Sequence, residues 1–118
     1  MPETTKKIPD DQLEAYFNNF TKLFLRDEST DVADVEVVSA DIGDQPLAEG
    51  SHLIGITYDP RTKAVEIALE AGDHRVYQPS EVWVEEEFDG FVKAIEIVRP
   101  DGARDIVQLR RLGLRPID

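Results

Sequence analysis

The sequence predicts an α+β protein, with an N-terminal amphipathic helix packed on a curved, mostly antiparallel β-meander that is half open, like an unfinished barrel. Three observations carry this expectation. Apolar residues recur with helical spacing over residues 10–26 and nowhere else. From about residue 35 to residue 110 the period drops to two, in seven short runs separated by turn residues. The connections between those runs are too short for parallel crossovers, which take a dozen residues or more. At 118 residues, the chain reads as a single domain, 1–118, with one modest core.

Residues 1–7 are polar and are expected to be flexible. Ile8-Pro9-Asp10-Asp11 reads as a helix start, because aspartates cap free N–H groups and suit the positive end of the helix dipole. Ile8 is placed to staple the first turn. Leu13, Tyr16, Phe17, Phe20, Leu23 and Phe24 then form one apolar stripe, with Lys22 and Arg26 near the end that favours cations. Asn19-Phe20-Thr21 spells a glycosylation triplet, a chance match inside a helix of a chain with no secretion signal. Asp27 to Asp34 reads as a polar connector. Strands are expected at Val35–Ala40, Leu53–Tyr58, Ala64–Leu69, Arg75–Gln78, Val82–Glu86, Val92–Val98 and Asp105–Arg110. Turns are expected at Asp59–Thr62, Ala71–Asp73, Asp89-Gly90 and Arg99–Gly102, and Asp41 to Ser51 reads as one long loop.

Register follows from face separation. With Asp59–Thr62 as the loop, Ile56 opposes Val65 and Ile54 opposes Ile67 on one apolar face. In the last hairpin a three-residue loop pairs Ile95 with Val107 and puts Ile97 and Leu109 on the same side. Glu96, Arg104, Gln108 and Arg110 then point the other way, together with Val98 and Ile106. The helix stripe is the only other large apolar surface, so Phe17 and Phe20 are expected to cover the sheet.

Charge narrows the function classes. The chain carries 25 acidic and 13 basic residues, net −12. Phosphate neutralisation needs a basic face, so no nucleic-acid partner is expected, and an anionic membrane surface is disfavoured on the same ground. There is no cysteine, which removes disulfides, thiolate metal sites, iron–sulfur clusters and cysteine nucleophiles. No phosphate-binding glycine loop and no nucleophile elbow is present, and no cofactor is expected. The polar start and the absence of a long apolar run give a cytoplasmic protein as the expectation.

A resemblance lies in the strand and turn pattern. His52-Leu53-Ile54-Gly55-Ile56-Thr57-Tyr58-Asp59-Pro60, Val65–Leu69, Asp73-His74, Gln78–Glu86, Ala94–Val98 and Asp101-Gly102 with Asp105–Leu109 resemble a family of small uncharacterised bacterial proteins, a domain of unknown function. The N-terminal Ile8-Pro9 and the aromatic helix fit its opening, so the resemblance covers residues 8–112. It implies a small single-domain protein and hands over no catalytic residues.

Candidate residues are few. His52 and His74 are the two histidines; with nearby carboxylates they could serve a metal or acid–base role, but neither sits in a ligand motif, and a structural role is the plainer reading. Glu85-Glu86-Glu87-Phe88-Asp89 lacks calcium-loop spacing and reads as a solvated strand end. Trp83, the one tryptophan, shares a face with Glu81 and Glu85, either as an exposed anchor or under cover. Residues 1–92 hold 7 basic and 21 acidic residues, and residues 93–118 hold 6 and 4. Val98 and Ile106, with Val92 and Ala94 on the same face and flanked by Arg104 and Arg110, form an apolar group outside the core. The expectation is a homodimer contact there, the arginines meeting a partner's acids; pairing with this chain's own carboxylates is the alternative. The reading is a non-catalytic accessory or binding protein. Its rivals are an acidic mimic of nucleic acid that binds a basic protein, and a metal-binding protein or enzyme using His52 and His74.

Overall fold

The computed structural model describes residues 4–26, 31–41, 43–87 and 91–111. Its elements are β1 (Thr4–Lys7), a 3-10 turn (Asp10–Gln12), α1 (Leu13–Arg26), β2 (Asp31–Ser39), β3 (Gly43–Asp59), β4 (Ala64–Leu69), β5 (Gly72–Tyr77), β6 (Glu81–Glu86), β7 (Val92–Val98) and β8 (Arg104–Arg111). The strands form one 8-stranded sheet in the order β1-β6-β7-β8-β2-β3-β4-β5. Every pairing is antiparallel. The α+β class holds, with β structure dominant. The sheet is not closed: β1 and β5 stand at its two ends. Nor is it a single meander, because β2–β5 and β6–β8 form separate meanders joined through the β2/β8 pairing.

Several expectations are corrected. Thr4–Lys7, expected to be flexible, pairs with β6 from Thr4 opposite Glu86 to Lys7 opposite Trp83. The N–H of Ile8 extends that pairing to the Val82 carbonyl at 2.9 Å. Asp31–Asp34 belongs to β2 rather than to a connector, and residues 27–30 lie outside the described residues. Within the expected loop Asp41–Ser51, Gly43–Ser51 forms the first half of the 17-residue β3, which pairs with β2. Gly43 (φ 72) and Gly50 (φ 63) supply left-handed positions at the turn and within the arm. Pro46 stands opposite Glu36, next to the register shift between Val35 and Glu36 that interrupts the ladder there.

In the β3–β4 hairpin the loop is one residue further along, so Asp59 opposes Ala64 and Ile56 opposes Ile67. That shift of pairing by two residues keeps every side chain on its face, and Ile56, Val65 and Ile67 are fully buried. Ile54 is the exception. A register shift between Leu53 and Gly55 turns Leu53 inward and leaves Ile54 55% exposed. A second shift, between Glu85 and Glu86, brings Val92 opposite Glu86 and into the core, off the outer face expected for it. Ile95 opposes Val107 as expected, with Ile97 and Leu109 buried.

The helix starts as the aspartates suggest, but neither caps it; Pro9 occupies the cap position with no side-chain hydrogen bond. Phe17 is fully buried, Phe20 is half-buried against the core, and Leu23 is exposed. The side chain of Phe24 lies outside the described residues. What α1 covers is an edge. β3 pairs with β2 through residues up to 52 and with β4 from 53 onward, so among the described residues one side of its second half has no strand. There the Thr21 hydroxyl donates to the Ile56 carbonyl (2.6 Å) and accepts from the Ile56 N–H (3.0 Å), standing in for a strand. Gly55 makes the approach possible, since a Cβ there would lie 2.9 Å from the Thr21 methyl.

Candidate functional site

The outer face of β6, β7, β8 and β2 is built by strict alternation. Val82, Val84, Ile95, Ile97, Val107, Leu109, Val35 and Val37 point into the core, so their neighbours point out. Cross-strand register assembles those neighbours into rows. Trp83 opposes Glu96, Glu96 opposes Ile106, and Ile106 opposes Glu36. Glu81, Val98, Arg104 and Val38 form the next row. Trp83, Ala94, Val98, Ile106 and Val38 are all half-buried, with charged side chains interleaved among them. Trp83 is neither fully exposed nor covered; its indole N–H donates to Glu81 at 2.9 Å.

The two arginines of this face have partners in their own chain. Arg104 meets Glu96 at 3.1 Å and Arg110 meets Asp34 at 3.1 Å. Arg110 Nε also donates to Asp34 (3.2 Å), and the Gly50 N–H donates to it as well (2.6 Å). The Arg110 hydrogen bond, with help from the Gly50 N–H, holds the Asp34 carboxyl below its ordinary range. Glu36 goes the other way. A hydrogen bond with Asp44, across the β2–β3 arm, raises its pKa, and the charges of Asp44 and Asp34 add to the effect. A hollow of about 360 Å³ lies beside it, with Asp34, Glu36, Glu49, Pro46, Ala48 and Arg110 among its walls. Sequence reasoning missed this acidic pair because residues 41–51 were read as loop.

On the opposite side of the sheet Asp105 is fully buried. Arg99 Nε and Nη2 donate to its two oxygens at 2.6 and 2.8 Å, and His74 Nε2 lies 2.6 Å from Oδ2. Burial opposes the charged form, but the hydrogen bonds from Arg99 and His74 outweigh it and hold the Asp105 carboxyl below its ordinary value. His74 therefore meets Asp105 rather than His52. His52 stands opposite Val32 on the β2–β3 arm, where its Nδ1 is buried without a hydrogen-bond partner. Among the described residues no group of three or more histidines and carboxylates could hold a metal ion. No described helix is long and apolar enough to cross a membrane. Asp105 was within reach of the sequence: with Ile95 opposite Val107, alternation puts it on the core face.

Fold and face together define a small, mostly antiparallel α+β domain with a mixed apolar and acidic sheet surface. Residues 4–115 match the model of a family described as of unknown function (DUF5335), and the chain belongs to that family. An uncharacterized protein of Aquifex aeolicus (strain VF5) is 42% identical over 107 residues, covering 90% of this chain and 92% of the relative. The bacterial family resemblance read from strand and turn pattern is thus confirmed. No solved structure matches.

Proposed function

We propose that this chain is a non-catalytic binding module whose outer face on β6, β7, β8 and β2 docks a basic protein surface. The observation that carries the reading is the internal pairing of Arg104 with Glu96 and of Arg110 with Asp34. With those cations engaged, the charge left around Val98 and Ile106 comes from Glu81, Glu36 and Asp44, while Lys7, opposite Trp83, marks the β1 end of the face. A partner offering lysines or arginines around apolar side chains complements such a face; a second copy of it would set acid against acid. The acidic mimic is a special case of this reading, in which the partner's basic groove also holds DNA. The His74–Asp105–Arg99 cluster supports a holding role rather than catalysis, since both Asp105 oxygens are already bound. It also supports the half-open-barrel description, because β5, at one end of the strand order, reaches through His74 to β8, four places away.

Trp83 is a built-in reporter, as the only tryptophan. Titration with a synthetic lysine–leucine peptide should shift its emission, with an affinity that weakens steeply as salt rises. Ile106→Lys should weaken the binding about tenfold or more, and an acidic peptide of the same length should leave the emission unchanged. Equal responses to the basic and acidic peptides, or none to either, would sink the proposal.

A further inference from the structure

We infer that the outer edge of β5, unpaired among the described residues, is a self-pairing surface, on which a second copy of this chain adds its own β5 antiparallel about His74. The inference concerns a different surface from the outer face and does not depend on that reading.

The direction of the β5 main chain follows from hydrogen bonds elsewhere in the sheet. Both main-chain groups of Ile56 are taken by Thr21, so Ile56 faces away from β4. Its partner Ile67 must then face β5, because an antiparallel ladder alternates. His74, opposite Ile67, bonds back to β4. It follows that the N–H and C=O groups of Asp73, Arg75 and Tyr77 point outward from the end of the sheet. The strand is held from behind by the His74–Asp105 contact, which fixes an edge strand that could otherwise fray. Beside it an open cleft of about 330 Å³ separates Arg75, Val76 and Tyr77 from Arg99, Pro100 and Asp101, so this stretch of the edge is not packed against the β7–β8 turn. Tyr77 is 60% exposed at the same edge.

Charge selects the occupant and the register. Only pairings that bring outward-facing residues opposite one another make hydrogen bonds, and two symmetric choices of this kind overlap five residues of β5. Centring on Arg75 sets Arg75 against Arg75 of the second copy. Centring on His74 sets Asp73 against the second copy's Arg75, and Arg75 against its Asp73. These two ion pairs lie on the outward-facing side of the strand, where Asp73 and Arg75 are both exposed. Arg75 keeps its contact with Glu66 (3.1 Å) and would then bridge two carboxylates. At the other end of the sheet β1 is shorter, and its two exposed lysines, Lys6 and Lys7, give no self-complementary pair.

An overlap this short makes a weak dimer, of the kind seen for interfaces below standard size. Sedimentation equilibrium of the full chain should show monomer at low concentration and dimer approaching ~1 mM. Asp73→Arg should weaken the dimer at least tenfold, and the double variant Asp73→Arg/Arg75→Asp should restore it. Ile106→Lys, on the outer face, should leave it unchanged, which separates this surface from the docking face. Hydrogen exchange gives a second readout on the unmodified protein: the amides of Asp73 and Arg75 should slow as concentration rises. A monomer at ~1 mM with concentration-independent exchange overturns the inference. So does a dimer that ignores Asp73→Arg or that the double variant fails to restore.

Discussion

Asp105 shows how one residue can hold a distant strand. Its carboxylate has no solvent and depends on Arg99 and His74 for every compensating interaction. Asp105→Asn keeps the shape but removes the charge, leaving Arg99 partly buried without its counter-ion, and should cost about 3 kcal/mol in denaturant unfolding. The pH dependence has a definite sign. The folded-state pKa is depressed, so the contribution is present above the ordinary carboxylate range and disappears as pH falls through the folded value. The gap between wild type and Asp105→Asn should therefore be widest near neutrality and close in acid; a gap that widens in acid would contradict the assignment. Residue-level legibility was uneven. Alternation and the last hairpin's register placed Val98, Ile106, Arg104 and Arg110 on one face, because period two is a backbone property; that Trp83 joins them depends on β6 pairing with β7. Alternation gave no partner for Arg110, since Asp34 comes from β2, whose place beside β8 is a tertiary outcome; Glu96 was within reach, diagonal to Arg104 in the last hairpin.

At the scale of elements, the helix is less a lid than a replacement strand. Thr21→Val preserves volume but strips both hydrogen bonds from the fully buried Ile56. It should cost about 2 kcal/mol, the desolvation penalty of buried polar groups left unmade, whereas Thr21→Ser should recover most of the loss. Phe17→Ala should cost ~3–5 kcal/mol, as for a core phenylalanine. Thermal melts of these variants test the packing, and an unchanged midpoint for Phe17→Ala would refute it. The helix itself was legible because its stripe is periodic. Its docking site was not, because no local pattern reveals that β3 changes partners at residue 53. Composition hid the β2–β3 arm: Gly43, Pro46 and Gly50 are loop residues by propensity, and the sheet accommodates them with shifts in register. Ile54 and Val92 were misplaced for one reason: a single inserted residue flips everything beyond it, and alternation cannot announce where that happens.

For the molecule as a whole the dominant electrostatic fact is the net charge of −12. Self-repulsion of that charge favours the expanded chain, while the exposed ion pairs that oppose it are each worth at most about 1 kcal/mol. Glu36 adds to the repulsive side. Its folded-state pKa is raised by Asp44, so the folded protein binds this proton more tightly than the unfolded chain does, and stability rises as pH falls through the folded value. Asp105 acts in the opposite sense further into acid. The two together give stability a maximum where Glu36 has taken up its proton and Asp105 has kept its charge. Denaturant midpoints measured across pH should climb from alkaline conditions to that maximum and then fall as the Asp105 contacts are lost. Glu36→Gln should raise the midpoint at neutral pH and flatten the climb, because the carboxyl pair is no longer there to be relieved by a proton. Moderate salt should raise the neutral-pH midpoint of wild type for the same reason, by screening the excess charge. A midpoint that falls steadily from alkaline to acid pH, with Glu36→Gln no more stable than wild type at neutrality, would show that neither the net charge nor the Glu36–Asp44 pair governs the protein's response to protons.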